Sequence, residues 1–414
     1  MKVLLAVTLV VYVAAGWVRG ADLVEEWKVD VDEGELRDLK ARLGSTRLPG
    51  VVIGEEDSWD RGMNVRDLQH LLRYWKDDYD WRSVEKAINE ELPQYRTTIA
   101  GNTLHFAHLK SPNASAIPLI MVHGWPGSIL EFRQITPLLR SRFHIVLPSL
   151  PGYGFSRHSG KEGVHQVVTA DLFVALMSRL GYPTFVAQGG DWGSVVVSAL
   201  GANYPERCRA IHLNMVPLSM PLMAPSFFTK ARGLLTALFP SWFLLENETP
   251  ASVTFPKVLK EAGYFYEQST KPQTLAVGLT DSPAGLLAWI TEKLWRWSDL
   301  GDRPFVGGKY TEEEIITMTM WYWITDTAYS SVNYYYEFLP LFLDGSYFTL
   351  RVDVPTALAN FPEEVMEPPR CDAEPFYNIQ RYTHFPRGGH FAAMEEPELL
   401  ADDMIAFFDS LYGD

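Results

Sequence analysis

The residues of this chain that could do chemistry are an aspartate between glycines, a late histidine and a glutamate. Asp191 stands within Gly189-Gly-Asp-Trp-Gly193, after the apolar run Thr184–Gln188 and before a second apolar run that begins at Ser194. The first run predicts a short buried strand and the second a buried helix. A strand, a glycine-flanked polar residue and a helix form the pattern of a nucleophile elbow, whose sharp turn requires small neighbours. The pattern therefore presents Asp191 as a nucleophile.

An aspartate in this position implies a two-step reaction. A carboxylate is ionised at neutral pH, so it can displace at a saturated carbon, whereas a serine first needs a base. The attack leaves an ester of Asp191, which a second step must hydrolyse. His390, which follows a pair of glycines, is the candidate base that activates water against this ester. Glu364, on the loop after a late strand, is the candidate that orients the imidazole, and its neighbour Glu363 is the alternative.

Ester hydrolysis also needs backbone donors for the negative charge that develops on the carbonyl oxygen. His123-Gly-Trp-Pro-Gly127 directly follows the strand pattern Ile117–Val122. A fold of this kind places one oxyanion donor at the end of such a strand and a second donor directly after the nucleophile. The backbone N–H groups of Trp125 and Trp192 are therefore the candidate oxyanion hole.

Most of the remaining elements position this constellation by alternating strand and helix. A hairpin is predicted over Thr97–Leu109, and a capping-box spacing from Ser128 to Glu131 predicts a helix that runs to Leu139. Two further helices are predicted at Asp171–Leu180 and Pro397–Leu411. Strands are predicted at Ile117–Val122, Phe143–Leu147, Thr184–Gln188, Ala210–Asn214, Tyr347–Val352 and Val354–Ala359. This alternation predicts a mainly parallel sheet with right-handed crossovers.

Two segments interrupt the alternation. Val24 to about Arg96 has the amphipathic pattern of helices that wrap or pack against a core. Pro221 to about Leu343 is helical and rich in Trp and Tyr, which indicates a cap inserted late in the core, over the strand ends where such sheets bind ligands. The expected division is an apolar segment at 1–20, an N-terminal helical unit at 21–95, core at 96–220, the cap at 221–345 and core again at 346–414.

Composition excludes several classes of function. The chain has 414 residues and a net charge of −15, which argues against a nucleic-acid partner. Its two cysteines, Cys208 and Cys371, are too few for a disulfide framework or a zinc site. We therefore expect chemistry without a metal or a cofactor.

The N-terminus raises a question of location. Val3–Val18 is almost entirely apolar, and its length suits either the core of a cleaved signal peptide or a short membrane anchor. Asn113 and Asn247 begin glycosylation sequons, which would be used only if the body of the protein entered the secretory lumen. From the residues alone both alternatives stay open.

These motifs resemble those of the microsomal-type epoxide hydrolases, a branch of the α/β-hydrolase superfamily that includes the juvenile hormone epoxide hydrolases. The resemblance runs from about Val24 to Leu411. The motifs that carry it are Leu39-Lys-Ala-Arg-Leu43, Thr46-Arg-Leu-Pro49, His123-Gly-Trp-Pro-Gly-Ser128, Gly189-Gly-Asp-Trp-Gly193, Thr270-Lys-Pro272, Asp281-Ser-Pro-Ala-Gly285, Phe361-Pro362, Arg387-Gly-Gly-His-Phe-Ala-Ala393 and Glu395-Glu-Pro397.

The resemblance implies two further site residues and a location. Members of the family use two cap tyrosines whose O–H groups bond to the epoxide oxygen. The Gly-Tyr-x-x-x-Gln pattern assigns one of them to Tyr264, and the Tyr-x-Glu pattern assigns the other to Tyr335. Asn333 stands where arginine is frequent, and Tyr334 and Tyr336 flank the second assignment.

The family also implies a location. It implies an anchor retained in the endoplasmic reticulum membrane, with a cytosolic body and unused sequons. Secretion is the alternative.

The resulting expectation is an α/β-hydrolase fold that converts a small apolar epoxide and water to a vicinal diol through a covalent aspartyl ester. The nearest alternative is a dehalogenase of the same fold, because an aspartate nucleophile followed by Trp192 also suits halide departure. A non-catalytic binding protein is the third. Tyrosine O–H groups favour an alkoxide leaving group and indole N–H groups favour a halide, so Tyr264 and Tyr335 favour the epoxide.

Overall fold

The computed structural model of the chain describes residues 23–50, 58–157, 162–217, 226–245, 248–249, 256 and 259–412. The apolar segment Val3–Val18 and the second sequon asparagine, Asn247, lie outside the described residues. Asn113 is described and exposed. No helix within the described ranges is long and apolar enough to cross a bilayer.

A mixed, mainly parallel sheet organises the described part of the chain. Its order is β1-β2-β3-β5-β4-β6-β7-β8-β9. The first three pairings in that order are antiparallel and the other five are parallel. The strands are β1 (Glu25–Trp27), β2 (Gln94–Ile99), β3 (Asn102–Leu109), β4 (Ile117–Val122), β5 (Phe143–Pro148), β6 (Phe185–Gly189), β7 (Cys208–Leu213), β8 (Val352–Asn360) and β9 (Tyr377–His384). The predicted α/β class and the predominance of parallel pairing are confirmed.

Helices cover this sheet and fill the segment between β7 and β8. Helix α6 lies against β6, β7 and β8, and α5 packs beside it. The helices are α1 (Glu33–Gly44), α2 (Val65–Asp77), α3 (Trp81–Glu91), α4 (Thr136–Leu139), α5 (Gln166–Arg179), α6 (Asp191–Asn203), α7 (Phe227–Leu238), α8 (Gly263–Thr270), α9 (Pro272–Asp281), α10 (Pro283–Arg296), α11 (Glu312–Thr325), α12 (Ala328–Leu343), α13 (Arg370–Ala373), α14 (Ala392–Glu395) and α15 (Pro397–Tyr412).

The hairpin predicted around Gly101 is confirmed by the pairing of β2 with β3. Its turn residues Ala100 and Gly101 both have positive φ angles, 51° and 81°. Two consecutive positive φ values match the right-handed twist of the flanking strands, which is why two-residue hairpin turns favour glycine.

The N-terminal segment is helical as predicted, and it packs against helices from the middle of the chain. Helix α2 buries its apolar face through Leu68, Leu71, Leu72 and Trp75, and it contacts α10 and α11. The segment also contributes β1, a three-residue strand at the edge of the sheet. This strand was not predicted because it is short, charged and mostly exposed.

Two predicted elements are wrong. The continuous helix expected after the Ser128 cap and through Leu139 is instead a short 3-10 helix, Ile129–Phe132, followed by α4, which begins at Thr136 with Pro137 in its first turn. The Ser128 hydroxyl accepts a hydrogen bond from Leu130 N at 3.2 Å, but Glu131 does not complete a capping box. The strand expected at Tyr347–Val352 is a 3-10 turn over Tyr347–Thr349, because Tyr347 and Phe348 bury their rings against helix α12.

Helices α8 and α12 carry aromatic side chains that lie beside the turn after strand β6. Helix α12 packs against both α8 and α9, and α10 packs against α9 and α11. This arrangement brings aromatic residues of α8 and α12 close to the β6–α6 turn that carries Asp191.

Candidate active site

The turn between β6 and α6 has the geometry of a nucleophile elbow. Asp191 has a φ of 47°, a left-handed value that is rare for a residue with a side chain. A Cβ atom on Gly193 would overlap the carbonyl oxygen of Val122, and one on Gly190 would lie 2.6 Å from Asn214 Nδ2. The glycines on either side of Asp191 are therefore required by the closeness of β4 and of the Asn214 side chain.

Two groups hold the Asp191 carboxylate. The backbone N–H of Trp125 donates a hydrogen bond to Oδ1 at 2.8 Å, and His390 Nε2 lies 3.4 Å from Oδ2. A side chain on Gly124 would overlap the carboxylate, so this position must also be glycine. Trp192 lies in the first turn of α6, where N–H groups have no carbonyl partner within the helix. The structure therefore brings one candidate oxyanion donor, Trp125, onto Asp191.

His390 is held between two carboxylates. Its Nδ1 atom lies 2.6 Å from Glu364 Oε1, and its Nε2 atom faces Asp191. The Glu364 oxygen also accepts the backbone N–H of Val365 at 2.6 Å. The side chains of Glu364 and His390 are 1% and 3% exposed, whereas Glu363 is exposed to solvent. Of the two candidate glutamates, Glu364 is the one that contacts the imidazole.

The charge balance keeps the imidazole protonated in the free protein. Burial alone would lower the pKa of His390, but Glu364 and Asp191 together hold that pKa well above its ordinary value. Loss of either negative charge would lower the pKa again. The protonation state of His390 therefore depends on whether Asp191 carries its charge.

A buried network that the sequence did not predict fixes the loop that carries His390. The His390 backbone N–H donates to the carbonyl of Trp297 at 2.8 Å, and the two rings meet edge to face at 5.1 Å. Glu395 accepts the backbone N–H groups of Asp299 and Phe391 at 2.8 and 3.0 Å. Glu395 also forms an almost fully buried ion pair with Lys309 at 2.9 Å.

His123 is a structural residue of the loop that supplies the Trp125 donor. Its Nδ1 atom bonds to the carbonyl of Gly124 at 2.9 Å, and its Nε2 atom accepts the backbone N–H of Leu150 at 3.1 Å. Because Nε2 is an acceptor, the ring is neutral, and burial lowers the pKa of His123 to about 4. The Trp125–Pro126 peptide bond in the same loop is cis.

Of the three consecutive tyrosines on α12, Tyr335 is the one near the nucleophile. Its ring meets that of Trp192 edge to face at 4.6 Å. Its buried hydroxyl forms no hydrogen bond of normal geometry with the described residues, and its polar neighbours are the Trp192 indole and the Tyr264 hydroxyl. Tyr334 instead directs its hydroxyl to Thr169 Oγ1 at 2.7 Å, and Tyr336 is 50% exposed. Burial, reinforced by the charges of nearby groups including Asp191, raises the pKa of Tyr335, so its hydroxyl keeps its proton.

Tyr264, on α8, lies beside Tyr335. The two rings are 5.9 Å apart, and Tyr264 stacks on Trp125 at 5.6 Å. Burial raises the pKa of Tyr264 above its ordinary value, and the charge of Asp191 adds to this. The Lys293 ammonium lies 4.7 Å from the Tyr264 ring centroid, where its positive charge is attracted to the electron-rich face of the ring in a cation–π contact.

The structure thus brings together all seven residues named from the sequence: Asp191, His390, Glu364, Tyr264, Tyr335, Trp125 and Trp192. Within the described ranges no group of three or more His, Cys, Asp and Glu side chains is arranged to hold a metal ion. A small cavity beside Asp191 and His390 is also lined by Glu131, Gln188 and Asn214. Sequence reasoning missed these three. The sequence signal at Glu131 is its position three residues after Ser128, which predicts a helix cap and not a site residue.

Comparison with known proteins decides the family. Residues 24–132 match the family model "Epoxide hydrolase N terminus", and residues 117–283 match the α/β-hydrolase fold. Epoxide hydrolase 1 of Sus scrofa is 36% identical over 94% of this chain and 89% of its own length. The chain belongs to the epoxide hydrolases. This membership confirms the microsomal-type resemblance stated from the motifs, and with it an enzyme that hydrolyses epoxides.

Two insect relatives extend the comparison to the juvenile hormone branch. Juvenile hormone epoxide hydrolase 1 of Ctenocephalides felis is 34% identical over 92% of this chain and 85% of its own length. The crystal structure of juvenile hormone epoxide hydrolase from Bombyx mori matches with a TM-score of 0.84 at 31% identity, covering 95% of each chain. The likeness therefore extends over the N-terminal helices, the sheet and the helices between β7 and β8.

Proposed function

We propose that this epoxide hydrolase converts an apolar epoxide to a vicinal diol through a covalent ester of Asp191. The observation that carries the proposal is the arrangement around Asp191. Its carboxylate is held by Trp125 N and faces His390, while the buried hydroxyls of Tyr335 and Tyr264 lie next to each other in the adjoining aromatic cluster. A nucleophile, a base and a leaving-group donor therefore meet in one buried site.

In the first step Asp191 attacks an epoxide carbon and the C–O bond of the ring opens. Tyr335 and Tyr264 donate hydrogen bonds to the oxygen that leaves as an alkoxide, and one of them can pass it a proton. Because burial and nearby negative charge raise both tyrosine pKa values, both hydroxyls are protonated when the substrate arrives. Donors fixed in place before the reaction stabilise the developing charge without reorganisation.

Ester formation then prepares the second step. The ester carries no charge, so the stabilisation that Asp191 gives to protonated His390 is lost and the pKa of His390 falls. The proton that His390 gives up restores the hydroxyl of the tyrosine that protonated the alkoxide. Neutral His390 can take a proton from water, whose oxygen attacks the ester carbonyl carbon, while Glu364 stabilises the imidazolium that forms. The N–H groups of Trp125 and Trp192 are the proposed donors to the carbonyl oxygen. Breakdown of the tetrahedral intermediate releases the diol and restores Asp191.

The substrate that fits this site is apolar. Rings of Trp125, Trp192, Tyr264, Phe265 and Tyr335 pack around the carboxylate, and an aromatic lining with few polar groups suits an apolar ligand. Terpenoid epoxides, and arene or alkene oxides, are the two substrate classes that we propose. The insect relatives are named for a terpenoid hormone, so the assay includes a terpenoid epoxide.

One observation also favours halide release as a second activity. The indole N–H of Trp192 is buried and forms no hydrogen bond of normal geometry with the described residues, its polar neighbour being Tyr335. Such a donor suits a halide, whereas the two tyrosine hydroxyls suit an alkoxide. Membership of the epoxide hydrolase family favours the alkoxide.

The test is product formation from a small panel of substrates. We expect diol from styrene oxide and from a juvenile-hormone-like terpenoid epoxide, and no halide from a 1-haloalkane of similar size. Asp191→Ala should form neither product, while Glu363→Gln, an exposed neighbour of the proposed acid, should retain activity. Halide release without diol formation would assign the site to dehalogenation.

The location of the protein and the roles of its segments belong to the same proposal. We infer that Val3–Val18 anchors the protein in the endoplasmic reticulum membrane. We also infer that the helices of 221–345 act as the cap and that 21–95 wraps the core, which consists of 96–220 and 346–414. The support is the apolar run in the sequence and the packing of α2 and α12. A retained anchor predicts an intact N-terminus and an unglycosylated Asn113. A new N-terminus near Trp17 or Ala21, found by N-terminal sequencing, would favour secretion.

A further inference from the structure

A small polar cavity lies beside the nucleophile and the base. Asp191, His390, Glu131, Gln188 and Asn214 are among the residues that line it. The cavity offers about 20 Å³ to the centre of a water molecule, and a polar site needs only roughly 10–15 Å³ to hold one. A single water molecule in this space would be within the reach of both Asp191 and His390.

Gln188, at the end of β6, supplies an unused acceptor to this cavity. The residue is 1% exposed, and its Nε2 atom donates to Asn214 Oδ1 at 2.8 Å. Its Oε1 atom is buried and has no hydrogen-bond partner among the described residues. Leaving a buried acceptor unpaired is unfavourable, so a hydrogen bond from a ligand in the cavity would stabilise this group.

Glu131 reaches the cavity because the position facing it is glycine. A Cβ atom on Gly127 would overlap Glu131 Oε2. Burial raises the pKa of Glu131 to about 8, the charge of Asp191 adds to this, and His390 opposes it. The carboxyl group is therefore mostly protonated at neutral pH, which gives it an O–H donor. The helix-cap role expected from its spacing is unfilled, so this side chain has no other evident function.

We propose that Glu131 and Gln188 bind and orient the water molecule that hydrolyses the Asp191 ester. One O–H of the water donates to His390 Nε2 and the other to Gln188 Oε1. The protonated Glu131 donates to one oxygen lone pair, and the other lone pair attacks the ester carbonyl carbon. The proton taken by His390 passes to the departing diol oxygen as the acyl C–O bond breaks. This inference rests on the covalent mechanism proposed above, and it assigns separate groups to the two steps.

The test separates the two steps with matched methionine substitutions. Glu131→Met and Gln188→Met remove the hydrogen-bonding groups, and Glu131→Gln keeps a donor in place. Gln166→Met is the control, because Gln166 is also a buried glutamine without a partner among the described residues but does not line the cavity. Rapid mixing with styrene oxide, acid quenching and intact-mass measurement follow formation and decay of the ester.

We expect both cavity variants to form the ester at the parent rate and to hydrolyse it about 10- to 100-fold more slowly, since small misplacements of a reacting group cost this much. Accordingly kcat and KM should fall together while kcat/KM stays unchanged. A general loss of packing would not produce that pattern. Glu131→Gln should keep most of the hydrolysis rate, and Gln166→Met should match the parent.

Two results would overturn the inference. One is ester decay at the parent rate in Glu131→Met and Gln188→Met. The other is a fall of kcat/KM in parallel with kcat, which would assign these groups to ring opening or substrate binding. If one methionine variant fails to fold, the rate of ester hydrolysis in the other tests the same prediction. If the ester accumulates in His390→Gln but the cavity variants behave like the parent, only the water site is rejected. If no ester forms in His390→Gln, the covalent mechanism itself is rejected.

Discussion

Removing the Tyr335 hydroxyl should slow ring opening while leaving the fold intact. This hydroxyl is buried beside Trp192 and Tyr264 and forms no hydrogen bond of normal geometry with them. Tyr335→Phe therefore removes only weak polar contacts, and we expect the free energy of unfolding to change by less than about 1 kcal/mol. In the transition state the same hydroxyl is one of two donors to the developing alkoxide.

The size of the effect follows from that role. Loss of one preorganised oxyanion donor costs about 2.7–4 kcal/mol, which corresponds to roughly 10²–10³ in the rate of ester formation. Tyr264→Phe should have an effect of similar size. The measurement is the rate of ester formation under pre-steady-state conditions, followed by the quenching of tryptophan fluorescence or by intact mass.

The neighbouring tyrosines are matched controls for this prediction. Tyr334→Phe loses a hydrogen bond to Thr169 at 2.7 Å, so it should cost about 1 kcal/mol of stability and leave ester formation unchanged. Tyr336→Phe changes a half-exposed ring and should alter neither quantity. Parent-like ester formation in both Tyr335→Phe and Tyr264→Phe would refute the assignment. A large effect of Tyr334→Phe would transfer the role to that residue.

Three further predictions test other parts of the site and the fold. Glu364→Gln should lower kcat by at least about 100-fold because the imidazolium loses its buried counter-charge. Glu363→Gln should retain the parental kcat. Equal effects of the two substitutions in steady-state assays would contradict the pairing of Glu364 with His390. Gly124→Ala places a methyl group on the Asp191 carboxylate, so it should abolish ester formation by intact mass, and an active variant would show that the loop relaxes. Asp403→Ala removes a buried partner of His212 at 2.9 Å, so the free energy of unfolding measured by urea titration should fall by about 3–5 kcal/mol. A fall of less than about 1 kcal/mol would contradict this prediction.

The sequence predicted the elements that carry the nucleophile because their local requirements are strong. Gly190 and Gly193 are needed where Asn214 and β4 approach the elbow, and Gly189 is needed where the backbone of Gly193 and Ser194 lies against it. The buried strands read as unbroken apolar runs. Strand Ile117–Val122 was predicted with its observed bounds. The cap tyrosines were accessible only through the resemblance, because nothing in the local pattern distinguishes Tyr335 from Tyr334 and Tyr336.

The elements that were missed lie where local patterns are weak or ambiguous. Strands β1 and β9 are at the two edges of the sheet, and β9 is only partly buried along most of its length, so neither presents an apolar run. Glu131 has the spacing of a capping box, yet its carboxyl group lies in the cavity because Gly127 leaves room for it. Trp297 supports His390 through its backbone carbonyl, and a backbone contact of this kind leaves no signature in side-chain types.

The central claim is that Asp191 forms a covalent ester which His390 then hydrolyses. The most direct measurement is intact-mass spectrometry of His390→Gln after mixing with styrene oxide. The carboxylate of this variant is still ionised and held by Trp125 N, so the ester should form. Its hydrolysis should slow by roughly 10²–10⁴-fold without the general base. We predict a protein heavier by one whole epoxide, with the adduct on the peptide that carries Asp191; a folded, substrate-binding His390→Gln protein of unchanged mass would contradict the covalent mechanism.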